Sequence, residues 1–159
     1  MTVHVGDLLG SPGKERPFDD ELPVSLHLGE VTVDGPMRVE GVMIGLLDAV
    51  KADFDVGAEG HFTCTRCLVE WDERVETHSE RYFRMAADED GYAIVDGEID
   101  IYGPARDELA LSLPAAPVCK SACLGLCPTC GTDLNTDPCD GHGDESQSPF
   151  AVLKDLFES

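Results

Sequence analysis

Two cysteine groups constrain this chain more than any other feature. Cys64-Thr-Arg-Cys67 stands near the middle, and Cys119, Cys123, Cys127, Cys130 and Cys139, followed by His142, crowd the stretch from 119 to 142. Seven cysteines are an odd number, and the C-x-x-C spacing points to metal rather than to a disulfide framework. Cys127-Pro-Thr-Cys130-Gly131 has the knuckle form C-P-x-C-G. Its proline stiffens the turn, and its glycine permits the positive φ needed as the chain curls under a metal. Any four ligands of this group suffice for a closed tetrahedral site. The expectation is one tightly held zinc on Cys127, Cys130 and Cys139, with Cys123 as fourth ligand and Cys119 or His142 as rivals. Iron of the rubredoxin kind is the less favoured occupant, since an all-sulfur tetrahedron accepts either. Cys64 and Cys67 are a ligand pair or two unliganded thiols at a hairpin tip, and the spacing alone leaves both open.

A site dominated by thiolates is closed to water, so its metal is structural. A redox role for a C-x-x-C needs a thioredoxin-like βαβ pattern, which the chain does not show. No Gly-rich phosphate loop, serine nucleophile elbow or paired-carboxylate motif stands out, and no catalytic residues are expected.

Charge restricts the partners. The chain has 159 residues, with 32 Asp plus Glu against 11 Lys plus Arg, for a formal net charge of −21. Such a surface repels phosphate backbones and anionic lipids. Any nucleic-acid role must use a local basic patch or go through a basic partner protein. The opening MTVHVGDLLG lacks a basic region followed by an apolar one, so no secretory signal is expected. Val42 to Val50 is the most apolar stretch and is far shorter than a membrane span. A cytoplasmic location without membrane association is the expectation.

Four segments follow from composition and periodicity. Residues 1–23, rich in Pro, Gly and charge, suggest an extended arm anchored by Val5, Leu8 and Leu9. Residues 24–114 suggest antiparallel strands and a closing helix. Val50, Ala52, Phe54 and Val56 alternate with Lys51, Asp53 and Asp55. Val31 and Val33 repeat the pattern, and Val39 to Leu46 forms a more continuous apolar strand. Val69, Trp71 and Val75 are expected on one face beyond Cys67. Gly35-Pro36 and Gly57 to Gly60 mark turns. Residues 86–98 suggest an acidic loop around a short strand. Pro104 opens a helix with Asp107 and Glu108 in its first turn, Ala105, Leu109 and Leu113 on one face, and Pro114 as its stop. Residues 115–142 form the cysteine-rich module. Residues 143–159 are a linker and a short helix capped by Ser148. The fold class is α+β: mainly antiparallel sheet or partial barrel, one or two short helices, and a C-terminal zinc knuckle.

The string Cys123-Leu-Gly-Leu-Cys127-Pro-Thr-Cys130-Gly-Thr-Asp-Leu-Asn135 resembles the YceD family of large ribosomal RNA subunit accumulation proteins. HVGDLLGSPG, CTRCLVEW (64–71), DELALSLPAAPVC (107–119) and SPFAVLKDLF (148–157) add to the likeness. The resemblance implies a role in accumulation of large-subunit ribosomal RNA, a genomic neighbour encoding a small ribosomal protein, and no known catalytic activity. The family pattern often ends C-x-C, whereas Cys139 here precedes Asp140-Gly141-His142. His142 then replaces a cysteine ligand, or the fourth ligand comes from upstream. Relatives lacking the knuckle exist, which implies that the metal stabilises this branch and is not the family's shared functional centre. Combined with the charge, the resemblance gives a non-enzymatic assembly factor that binds a basic large-subunit ribosomal protein or a pre-ribosomal particle, with RNA contacted indirectly. Arg66, Arg74, Arg81 and Arg84 are the candidates for a basic RNA or partner contact. The alternative is a thiol-based redox or zinc sensor.

Overall fold

The computed structural model describes residues 2–85, 92–139 and 141–142. Six strands and one helix follow in order: β1 (Thr2–His4), β2 (Glu15–Leu28), β3 (Val31–Gly45), β4 (Ala49–Thr63), β5 (Glu70–Arg84), β6 (Glu98–Asp100) and α1 (Tyr102–Ser112). β2 to β5 form a four-stranded antiparallel meander in chain order, and β1 pairs with β6. β2 and β5 do not pair with each other, so the sheet is open rather than a closed barrel.

Period-two alternation divides the sheet into two faces. In β4, Ala52, Phe54, Val56 and Phe62 point to the core, while Lys51, Asp53, Asp55 and His61 point away. The same alternation in β3 buries Val31, Val33, Met37, Val39 and Met43. α1 closes this apolar face with Ala105 and Leu109, followed by Leu113 at its C-cap, and touches β5, β4 and β2. Val5 and Leu8 are fully buried from the N-terminal side, with Leu9 packed against the core.

Several local expectations are corrected. The arm boundary at residue 23 falls in the middle of β2, so Glu15–Pro23 belongs to the sheet. Pro17 and Pro23 are tolerated there because β2 is an edge strand with one side free of ladder bonds. Gly35-Pro36 is no turn: β3 runs through it, and the β3–β4 register shifts between Thr32 and Arg38. Pro36 thus falls where the ladder to β4 is interrupted and no N–H is required of it. Gly57 and Gly60 also lie inside a strand. A Cβ on Gly60 would sit 2.7 Å from the Phe62 ring, and one on Gly57 would sit 2.9 Å from the Arg74 guanidinium. Glycine makes room for neighbouring side chains rather than for a chain reversal.

α1 begins two residues before Pro104. Asp107 and Glu108 therefore lie beyond its first turn, and the Tyr102 N–H is held by Asp100 at 3.1 Å. Trp71 and Val75 face the core as expected, with Trp71 stacked on Phe62 at 5.3 Å, but Val69 is exposed. The expected helix at 148–157 lies outside the described residues. Among the described residues no helix is long and apolar enough to cross a membrane.

Candidate metal centres

The described residues between 114 and 142 add no side chain to the main apolar core, whose last member in the chain is Leu113. What holds this segment is a set of cysteines and hydrogen bonds. Its anchor is the β4–β5 hairpin loop. The Cys64 N–H donates to the Val69 carbonyl at 2.8 Å, and the Leu68 N–H donates to the Cys64 carbonyl at 3.0 Å. Leu68 has φ 61°, in the left-handed region. The C-P-x-C-G turn repeats this geometry. The Cys127 N–H donates to Thr132 at 2.8 Å, the Gly131 N–H donates to Cys127 at 2.9 Å, and Gly131 has φ 75°. Cys64–Leu68 and Cys127–Gly131 are therefore the same knuckle, although in the first a leucine occupies the position that favours glycine.

Two four-donor groups result. Cys64, Cys67, Cys119 and Cys123 form one, and Cys127, Cys130, Cys139 and His142 form the other. Within each group the donor atoms lie within 4.8 Å of one another. A tetrahedron with metal–sulfur bonds of about 2.3 Å has S···S edges of about 3.8 Å. The observed separations are 3.9 Å for Cys64–Cys123, 3.6 Å for Cys67–Cys119 and 3.9 Å for Cys130–Cys139, with Cys139 Sγ 3.1 Å from His142 Nε2. None of the seven cysteines is in a disulfide. Both donor sets fit a soft or borderline cation such as zinc.

The expected partition of ligands is corrected. Cys123 does not join Cys127, Cys130 and Cys139. It turns toward the hairpin sulfurs, and His142 takes the fourth place in the C-terminal group. Cys64 and Cys67, left open by the sequence, stand with Cys119 and Cys123. The chain thus builds two candidate centres where one was expected. Three residues separate Cys123 from Cys127, and the middle one, Gly125 at φ 77°, lets the chain reverse between the groups.

Electrostatics shows what such clusters need. Desolvation pushes the Cys64 thiol up, and the backbone N–H groups of Cys119, Cys67 and Arg66 outweigh it, bringing it down to about 6. Desolvation and the neighbouring sulfurs of Cys67 and Cys123 push the Cys119 thiol up to about 12. The Thr132 hydroxyl and N–H, then His142, bring the Cys130 thiol down to about 6, and the neighbouring Cys130 raises His142. Crowded sulfurs cannot all ionise together without a cation between them. The clusters can therefore hold a metal ion, and binding would release protons.

The first group joins distant parts of the chain. Thr65 donates from both its N–H and its hydroxyl to the Pro117 carbonyl, at 2.9 and 3.0 Å. Arg66 donates from Nη1 to the Cys123 carbonyl at 3.0 Å and accepts the Leu126 N–H at 3.0 Å. Arg66 is thus a bracket at the hairpin tip. The other candidate arginines are dispersed. Arg74 lies on the outer sheet face between Glu59 and Glu76. Arg81 lies on the opposite face, paired with Glu108 of α1. Arg84 stands at the far end of β5 near the Tyr82 ring. The four do not gather into one patch.

An open antiparallel sheet with two thiolate-rich clusters beside it defines a β-sheet protein with two candidate metal centres. Residues 52–157 match the family model described as large ribosomal RNA subunit accumulation protein YceD, and the chain belongs to that family. The family's name implies involvement in accumulation of large-subunit ribosomal RNA. An uncharacterized protein of Mycobacterium tuberculosis is 33% identical over 174 residues, covering 99% of this chain and 81% of its own length. A Mycobacterium leprae protein is 33% identical over 130 residues, covering 76% and 57%. The Arabidopsis thaliana large ribosomal RNA subunit accumulation protein YCED homolog 1, chloroplastic, is 38% identical over 61 residues, 38% of this chain and 19% of the plant protein. No solved structure matches.

Proposed function

We propose that this chain is a non-enzymatic factor of large ribosomal subunit biogenesis that supports accumulation of large-subunit ribosomal RNA in the cytoplasm. It does so by binding a basic ribosomal protein or a pre-ribosomal particle carrying one. Each centre holds a structural zinc, because neither donor set leaves a coordination position for water.

The observation that carries the partner class is the outer face of the sheet. Three Lys and Arg side chains of this face on β3–β5 are clamped by carboxylate pairs. Arg38 lies between Asp19 and Glu40, Lys51 between Asp53 and Glu80, and Arg74 between Glu59 and Glu76. His27, His61 and His78 also face carboxylates. The face stays negative even where it carries cations, which favours a Lys- and Arg-rich partner and disfavours bare RNA. Depletion of the protein in its own cell, with ribosomal RNA quantified and particles fractionated, tests this role. The expectation is a selective fall in large-subunit RNA. Unchanged RNA levels with normal particles would refute it. Binding of naked large-subunit RNA, compared with capture of ribosomal proteins at low and high salt, tests the partner class; tight binding to the naked RNA would overturn it.

One observation favours the thiol-sensor alternative: Cys130 is exposed and lies 3.9 Å from Cys139. Loss of metal from the zinc-loaded protein under mild oxidant, with normal ribosomal RNA on depletion, would favour that reading.

A further inference from the structure

The two centres share a wall. Residues 125–127 and 132–135 form a miniature hairpin, with a bridge between Leu126 and Asp133 and the Leu134 N–H donating to the Gly125 carbonyl at 3.0 Å. The turn of this hairpin is the C-P-x-C-G knuckle, so one end belongs to the Cys127, Cys130, Cys139 and His142 centre. Asn135 stands at the other end. Its Oδ1 accepts the Leu124 N–H at 3.0 Å, and its Nδ2 donates toward Cys123 Sγ at 3.6 Å. Asp133 Oδ1 fixes the side chain by accepting the Asn135 N–H at 2.9 Å and Nδ2–H at 2.7 Å. A residue whose fold depends on one centre therefore touches a ligand sulfur of the other.

We infer that Asn135 couples the two centres, so that a cation at Cys127, Cys130, Cys139 and His142 strengthens binding at Cys64, Cys67, Cys119 and Cys123. This rests on the reading of both groups as metal centres. A cation in the C-terminal group closes the miniature hairpin, and the closed hairpin holds the Asn135 amide against Cys123. An N–H donated to a sulfur ligand fixes the direction in which that ligand points, and outer-shell partners of this kind are worth roughly 10- to 100-fold in metal affinity. Linkage makes the effect reciprocal. Asn135 is a positioning residue: it is not itself a ligand.

The test uses the full chain, reduced and metal-free, titrated with Co2+ against a competing chelator. Ligand-field bands distinguish a four-thiolate centre from one with three thiolates and an imidazole. Cys139→Ser should weaken cobalt binding at the four-thiolate centre about five- to tenfold relative to wild type. Asn135→Leu alone should weaken it about as much, and adding Cys139→Ser to Asn135→Leu should have no further effect at that centre. Asn135→Asp keeps the acceptor for Leu124 but removes the donor to Cys123, and it should show the same loss even if the leucine variant folds poorly. Equal affinity in wild type and Cys139→Ser, with two cobalt ions bound by wild type, overturns the coupling and leaves the two centres standing. Additive losses, or wild-type binding by Asn135→Asp, overturn the role of Asn135. A folded sheet that binds no cobalt overturns the metal reading itself.

Discussion

Removing the metal should detach the cysteine-rich segment and leave the sheet folded. Ordering residues 119–142 costs about 1–2 kcal/mol per residue in backbone entropy alone, so on the order of 30 kcal/mol in total. Against this, among the described residues of that stretch the buried side chains are only Cys123 and Cys127, with Leu126 and Leu134 half-buried. At roughly 1.5–3 kcal/mol for each large side chain fully buried, they return well under 10 kcal/mol. The difference falls to hydrogen bonds and metal, and a structural zinc in a small peptide contributes about 10–16 kcal/mol in apparent terms. The sheet needs no such help, since Phe54, Phe83, Met37 and Met43 are all essentially fully buried within it. The assay is amide hydrogen exchange on reduced protein before and after chelation. The N–H groups of Cys123, Leu126, Cys127 and Leu134, bonded in the structure, should lose protection. Those in the middle of β4 should keep it. Retained protection across 119–142 in metal-free protein would refute the argument, and simultaneous loss throughout β4 would show that segment and sheet are one cooperative unit.

Other perturbations follow from the same geometry. Gly131→Ala meets no atom within 4 Å and incurs only the left-handed backbone penalty at φ 75°. It should cost about 1 kcal/mol and weaken metal at the C-terminal centre roughly fivefold in chelator competition; a loss beyond a hundredfold would mean that the knuckle geometry is misread. Phe54→Ala should destabilise the sheet by about 3–5 kcal/mol in denaturant titration, and a change under about 1 kcal/mol would show that the site is not packed as described. Arg16 and then Lys14 hold the Asp7 carboxyl well below its ordinary value of 3.8. A depressed carboxylate contributes stability that is present above its unfolded value and lost as pH falls through the folded one. Asp7→Asn should therefore flatten the acid limb of the stability curve below about pH 4, and an unchanged limb would show that this ion pair carries no linkage.

The strands that alternate cleanly were legible in the sequence, Val50 to Val56 above all, as was the apolar face of α1. The missed features share a cause. Gly35-Pro36 and Gly57 to Gly60 have turn composition, but what decides them is cross-strand space and ladder register, which exist only once β2 to β5 are assembled. The candidate site was legible as a ligand pool but not as a partition. Spacing places Cys123 beside Cys127, whereas the hairpin tip, brought in by the β4–β5 pairing, claims Cys123 for Cys64. One local signal pointed that way: Cys64-Thr-Arg-Cys67 is followed by Leu68 and Val69 as Cys127-Pro-Thr-Cys130 is followed by Gly131 and Thr132. The leucine in the glycine position concealed the repeat.

Metal stoichiometry tests the two-centre architecture most directly. Native mass spectrometry of protein purified under reducing conditions, without added metal, should show a mass two zinc ions above the bare chain. Cys119→Ser and Cys139→Ser should each lower the count by one. A wild-type chain that carries no zinc while its seven thiols react freely, or one that holds a single zinc lost on both substitutions alike, would contradict the two-centre architecture.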